Sequence, residues 1–234
     1  MAHTMSTQAL ILAAGRGERM RPLTDQCPKP LLQVRGKPLI AWHLENLARA
    51  GVQDVVINTA WLEEQFAPTL GDGRAFGLRI RYSHEGARFG GALETAGGIA
   101  TALPLLSDAP FWLVAGDVFI PEFVFPAADA ARFASSNALA HIYLVPNPPH
   151  NPKGDFGISP SGLALPTDAT QFTYSTLGLY RPALFKHTPA GQKAALAPLL
   201  RQAMQDGQVT AGLYSGPWTD VGTPERLAEL NATR

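Results

Sequence analysis

The sequence predicts an α/β protein, a three-layer α/β/α Rossmann-like sandwich around a mixed, mostly parallel sheet. Strands and helices alternate through the first half of the chain. The first strand runs into a long loop rich in glycine and arginine, and two aspartates stand where later strands end. In open α/β sheets, that is where ligands bind.

Gln8–Ala13 reads as a buried strand. Pro38 suits the first turn of a helix, and Ile40, His43, Leu44, Leu47 and Ala48 recur at helical spacing until Gly51. A second strand is predicted at Asp54–Asn58, a helix around Leu62–Leu70, and a third strand at Leu78–Ser83 after a glycine turn. Thr95–Leu103 is expected to be helical and Phe111–Ala115 a short buried strand. Beyond it the pattern changes. Pro146 to Pro152 holds four prolines and is expected to be an exposed loop, a rim or lid. Short strands are predicted near Phe156–Ser159 and Thr176–Tyr180, a helix at Leu196–Gln205, a strand at Val209–Tyr214 and a terminal helix from Pro224.

With 234 residues, the chain is long enough for one sizeable core. Met1 to Thr4 reads as a tag remnant ahead of a natural start at Met5, with residues 5–234 as one domain. Nineteen basic residues balance nineteen acidic ones, so no net field draws the protein to nucleic acid or to an anionic membrane. The single cysteine, Cys27, rules out an internal disulfide framework. No run is apolar enough to span a bilayer and no signal peptide precedes the first strand, so the expected location is the cytoplasm.

The loop LAAGRGERMRPLT, Leu12 to Thr24, carries Gly15 and Gly17 with Arg16, Arg19 and Arg21, and Pro28, Lys29 and Pro30 follow. Glycines let backbone N–H groups approach an anion while the cations balance its charge, the requirements of a phosphate. A dinucleotide fingerprint would need a third glycine where Met20 stands and would open a long helix, which Pro22 forbids. The P-loop pattern is absent as well. Asp117, after FWLVAG, and Asp220, within WTDVGT, are candidate magnesium ligands, because Mg²⁺ takes one or two carboxylates plus phosphate oxygens and waters. Histidines 43, 84, 141, 150 and 187 lack metal-ligand spacing and read as structural.

LAAGRGERMRPLT followed by PKPLL resembles the signature of the sugar-1-phosphate nucleotidyltransferases, also called nucleotide-sugar pyrophosphorylases. The resemblance implies a nucleotide-diphospho-sugar transferase fold with a small sugar-binding lobe. It also implies nucleotide binding by Ala13, Ala14, Gly15 and Gly17, with Arg19 on the β- and γ-phosphates and Lys29 near the α-phosphate. Arg19 and Lys29 are then the expected catalytic residues. Asp117 and Asp220 match the family's two metal-binding acids, with Mg²⁺ as cofactor. The stretch from Glu85 to Gly98 resembles the base-recognition segment, so Glu85, Thr95 and Gly98 are expected at the base; Glu94 stands where relatives often have glycine.

Gly154, Asp155 and Thr176 are expected at the sugar. The family's Glu-Lys-Pro element is missing there, which leaves Lys153 or Arg181 to replace its lysine, and Thr176 falls near a position that is often glycine. Short length and the segments around Gly71–Glu85 and Gly154–Phe156 resemble the bacterial N-acetylmuramate-1-phosphate uridylyltransferases of peptidoglycan recycling, from Ala9 to Leu230. The implied partners are a nucleoside triphosphate, UTP first, and a sugar 1-phosphate. Mannose-1-phosphate guanylyltransferases, glucose-1-phosphate thymidylyltransferases and phosphocholine-type cytidylyltransferases are the alternatives. A non-catalytic nucleotide-sugar-binding subunit is a fourth, which Arg19, Lys29, Asp117 and Asp220 argue against.

Overall fold

A computed structural model describes residues 8–232, so the reading of Met1–Thr4 as a remnant and of Met5 as the start falls outside the described residues. Seven strands form the central sheet: β1 (Gln8–Ala13), β2 (Asp54–Thr59), β3 (Arg79–His84), β4 (Phe111–Ala115), β5 (Ala140–Val145), β6 (Thr173–Tyr180) and β7 (Val209–Leu213). Their order across the sheet is β7-β5-β6-β4-β1-β2-β3. Strand β6 runs antiparallel to both of its neighbours, and the other pairs are parallel. The sheet is therefore mixed and mostly parallel, as the sequence predicts.

Alternation along β1 builds the layers. Ala9, Ile11 and Ala13 face one way, onto helix α1 (Leu39–Arg49) through Ile40, Leu44 and Leu47. Leu10 faces the other way, into a core with helix α4 (Glu94–Ala102) and helix α6 (Leu196–Gln205) through Ile99, Leu196 and Leu200. Each such fully buried leucine or isoleucine contributes about 1.5–3 kcal/mol. Helix α4 can lie close because it is built from small residues: a Cβ on Gly97 would stand 2.1 Å from Gln192 O. Among the described residues, no helix is long and apolar enough to cross a membrane.

Several elements depart from the sequence reading. Leu62 takes a left-handed conformation (φ 48°), so the expected helix splits into a single 3-10 turn and the short helix α2 (Phe66–Leu70). Helix α5 (Ala127–Ala134) and strand β5 have no counterpart in the sequence reading. The strand expected near Phe156 is one arm of a small hairpin, Gly157–Ile158 against Ala164–Leu165, standing off the main sheet. Helices α3 (Gly86–Phe89) and α7 (Pro224–Ala232) complete the set.

The chain passes from β1 to β2 and β3 on one side, then returns to place β4 on the other side of β1. This reversal opens a crevice beyond the carboxyl ends of β1 and β4.

Candidate active site

A cleft of about 860 Å³ fills that crevice. One wall is the loop after β1, which folds as three single 3-10 turns rather than a helix. Gly17 is left-handed (φ 69°), and its missing side chain leaves room for Thr24, whose hydroxyl donates to Gly17 O at 2.8 Å. Arg16 and the Trp61 indole both donate to Thr24 O, and the Arg16 guanidinium lies 3.6 Å over the Trp61 ring. Arg16 and Arg21 also share Asp25, whose carboxyl these bonds hold below the usual carboxylate range, Arg16 most of all. Met20, at the position of the missing third glycine, is fully buried with Phe119, Val221 and Leu227 and pins the loop to the end of the chain. Arg19 differs from the other two arginines. It lines the cleft, and among the described residues it makes no hydrogen bond or ion pair.

Lys29 is 8 % exposed, and its Nζ lies 2.8 Å from Asp117 Oδ2. Gly116 makes that approach possible: its N–H donates to Leu12 O, and a Cβ there would stand 3.1 Å from the same oxygen. Asp220 does not follow a strand, as expected, but lies within one. Thr219–Asp220 pairs antiparallel with Val118–Phe119, and Val221 N–H donates to Asp117 O at 2.9 Å. The two aspartates are thus brought together by backbone hydrogen bonds. Asp220 Oδ1 is held by Arg226 Nη1 at 2.5 Å and His150 Nε2 at 2.9 Å. Asp117 lines the cleft, whereas Asp220 approaches it through Gly222; a Cβ on that glycine would lie 3.0 Å from Asp220 Oδ2 and 3.5 Å from Arg19 Nη2.

At the segment expected to read the base, Thr95 lines the cleft and Glu85 does not. Glu85 is fully buried, with Asn58 Nδ2 donating to Oε1 at 2.6 Å and Leu93 N–H to Oε2 at 2.8 Å. Burial pushes its carboxyl up. The residue it holds, Asn58, is on the cleft wall and accepts from Ala13 N–H at 2.7 Å. Glu85 therefore orients Asn58 instead of presenting a carboxylate to a base. Gly98 is buried too, and leaves the space that the Asn58–Glu85 pair fills.

The other end of the cleft carries Asp155, Phe156, Tyr174 and Thr176. Asp155 Oδ2 accepts from Tyr174 N–H at 2.8 Å and from the Asn151 side chain at 3.2 Å. Gly154 is left-handed (φ 67°), and a Cβ there would meet Phe172 N at 2.8 Å. Gly154 shapes this wall without lining it. Thr176 sits where the register between β5 and β6 shifts, a β-bulge, with φ 62°. Arg181 is not on the cleft: its guanidinium donates to the carbonyls of Phe133, Ala134, Ser136 and Ala138 and so ties down the end of α5. Lys153 is exposed and does not line the cleft.

Comparison with known proteins agrees with this architecture. Residues 8–234 match the family model described as nucleotidyl transferase. The chain belongs to the nucleotidyl transferase family. It is 51% identical over 227 residues to an N-acetylmuramate alpha-1-phosphate uridylyltransferase of Neisseria meningitidis, covering 96% of this chain and 97% of that one. A protein of the same name from Caulobacter vibrioides is 33% identical over 94% of this chain and 97% of its own. A crystal structure from Bacillus anthracis, assigned as a glucose-1-phosphate thymidylyltransferase in complex with sucrose, superposes with a TM-score of 0.83 at 22% identity. It covers 97% of this chain and 94% of that chain, a likeness of fold.

Two cleft-lining residues have strained backbone. Glu94 (φ 59°) and Thr176 (φ 62°) both line the cleft in left-handed conformations that glycine adopts without cost. Sequence reasoning did not find Asn58, Arg226 or Arg201, and it gave His150 a purely structural place. Asn58 carried a usable signal, as a polar residue near the end of an apolar strand; the others become neighbours of the site only through tertiary contacts.

Proposed function

We propose that this protein transfers a uridylyl group from UTP to N-acetylmuramate 1-phosphate, giving UDP-N-acetylmuramate and pyrophosphate. Residues 5–234 are read as one catalytic domain. The observation that carries the reaction type is the pairing of buried Lys29 with Asp117 at the head of a cleft lined by Ala13, Ala14, Gly15, Gly17 and Arg19. The sugar and the base rest on the similarity to the Neisseria and Caulobacter proteins.

In this reading a phosphate oxygen of the sugar substrate attacks the α-phosphorus of UTP. The bond from that phosphorus to the bridging oxygen breaks, and pyrophosphate departs in line with the attack. Lys29 stabilises charge on the α-phosphoryl oxygens, and Arg19 with the glycine-loop amides holds the departing pyrophosphate. The nucleophile is already an anion, so no general base is needed.

Asp117 and Asp220 would hold Mg²⁺. The fit is supported by two hard-oxygen ligands on adjoining backbone segments, each with a cation beside it that balances its charge in the absence of metal. When bound, the ion neutralises charge on the nucleotide and sugar phosphates. Asn58, Thr95 and the backbone around Glu94 face the nucleoside. Asp155 and Thr176 face the sugar. The single cysteine suits a cytoplasmic enzyme.

The test is incubation with Mg²⁺, crossing UTP, GTP, dTTP and CTP with N-acetylmuramate, N-acetylglucosamine, mannose and glucose 1-phosphates, with products identified by mass. UDP-N-acetylmuramate is the expected major product. Turnover confined to GTP with mannose 1-phosphate would reject the assignment.

A further inference from the structure

We infer that Arg201 is a specificity-determining residue that binds the carboxylate of the sugar substrate's lactyl ether. The inference rests on the proposed function, because N-acetylmuramate differs from N-acetylglucosamine by that acidic group. Three basic residues line the cleft among those described: Arg19, Lys29 and Arg201. Arg19 and Lys29 come from the loop after β1, at the phosphate end. Arg201 comes from α6, on a different wall, with its guanidinium 5.1 Å over the Phe156 ring.

That guanidinium is positioned but not consumed. Nη1 donates to Pro166 O at 2.6 Å, the one hydrogen bond it makes among the described residues, which leaves most of its five N–H donors available. The carbonyl and the aromatic ring hold the guanidinium at this wall, and a carboxylate is the ligand a planar fork matches with two parallel bonds. Among the described residues no ion pair joins Arg201 to Asp155, whose Oδ2 instead accepts from Tyr174 N–H and Asn151. Two other basic residues do not serve here: Arg181 is committed to the end of α5, and Lys153 does not line the cleft. A sugar without an acidic substituent offers this guanidinium no opposite charge.

The experiment compares Arg201→Ala and Arg201→Lys with wild type, using UTP and either N-acetylmuramate or N-acetylglucosamine 1-phosphate. Arg201→Ala is expected to raise KM for the muramate substrate about 10- to 100-fold, the worth of a hydrogen-bonded charge pair. Its KM for N-acetylglucosamine 1-phosphate should stay within about 2-fold, since a rim charge facing no partner is worth little. Arg201→Lys should recover part of the loss, as a point charge without the fork. The second sugar also reports folding, because a misfolded variant loses both activities. An equal loss on both sugars, or none on either, overturns the inference and leaves the proposed function standing. Wild-type enzyme that does not turn over the muramate substrate overturns both.

Discussion

Lys29 Nζ and Asp117 Oδ2 meet at 2.8 Å across the head of the cleft, joining the loop after the first strand to the turn after the fourth. The lysine is nearly buried, while the aspartate side chain is 44% exposed on the cleft side. In the structure each neutralises the other. In the proposed mechanism, metal on Asp117 would free the ammonium for phosphate oxygens, so the pair would exchange partners within one site.

Asp117→Asn keeps the shape of that side chain and removes its charge. Magnesium-dependent turnover is expected to fall on the order of 10²-fold or more, with cooperative thermal unfolding retained. Steady-state kinetics across a Mg²⁺ titration, beside a melting curve, checks this. Wild-type turnover would place the metal on other ligands.

Gly98→Ala addresses the base end. The added Cβ would lie 2.6 Å from Asn58 Nδ2 and 2.7 Å from Glu85 Oε1, so the pair that orients Asn58 must shift. Urea unfolding is expected to show a loss of about 1–3 kcal/mol, with a higher KM for UTP. An unchanged KM would separate Asn58 from nucleotide recognition.

His43 gives the fold a pH dependence. It is fully buried, with Nε2 donating to Val118 O at 2.9 Å, and burial lowers its pKa from 6.5 to about 4. Between those values the unfolded chain binds the proton and the folded chain does not, so stability rises with pH across the window and falls on acidification. Going from pH 7 to 5 should cost on the order of 2 kcal/mol in urea unfolding, a slope that a folded His43→Gln variant should lack. Parallel slopes would show that His43 takes up its proton equally in the folded and unfolded chains.

Local patterns carried much of the fold. Pro38 and Gly51 bracket α1 because both constrain the backbone directly, and Pro22 excluded a phosphate helix for the same reason. Helix α5 escaped because it is short and built mostly of alanine, with Phe133 its only buried side chain. Strand β5, buried on both faces, has no alternation to read and runs straight into the proline loop. At the site, the glycine loop, Lys29, Asp117 and Asp220 could be named because their residue types carry their chemistry. The placement of Glu85 could not, since its burial depends on Asn58 and on the N–H of Leu93. Arg201 was equally hidden, because only the packing of α6 over Phe156 brings it to the cleft.

In the proposed function, Lys29 and the glycine loop form a nucleotidyl-transfer centre. Its most direct test is pyrophosphate release from UTP, at saturating N-acetylmuramate 1-phosphate and Mg²⁺, by wild type and by Lys29→Ala. Steady release is expected from wild type and a kcat about 10²–10³-fold lower from the variant, through lost stabilisation of the α-phosphoryl charge. Near-normal release by Lys29→Ala would contradict it.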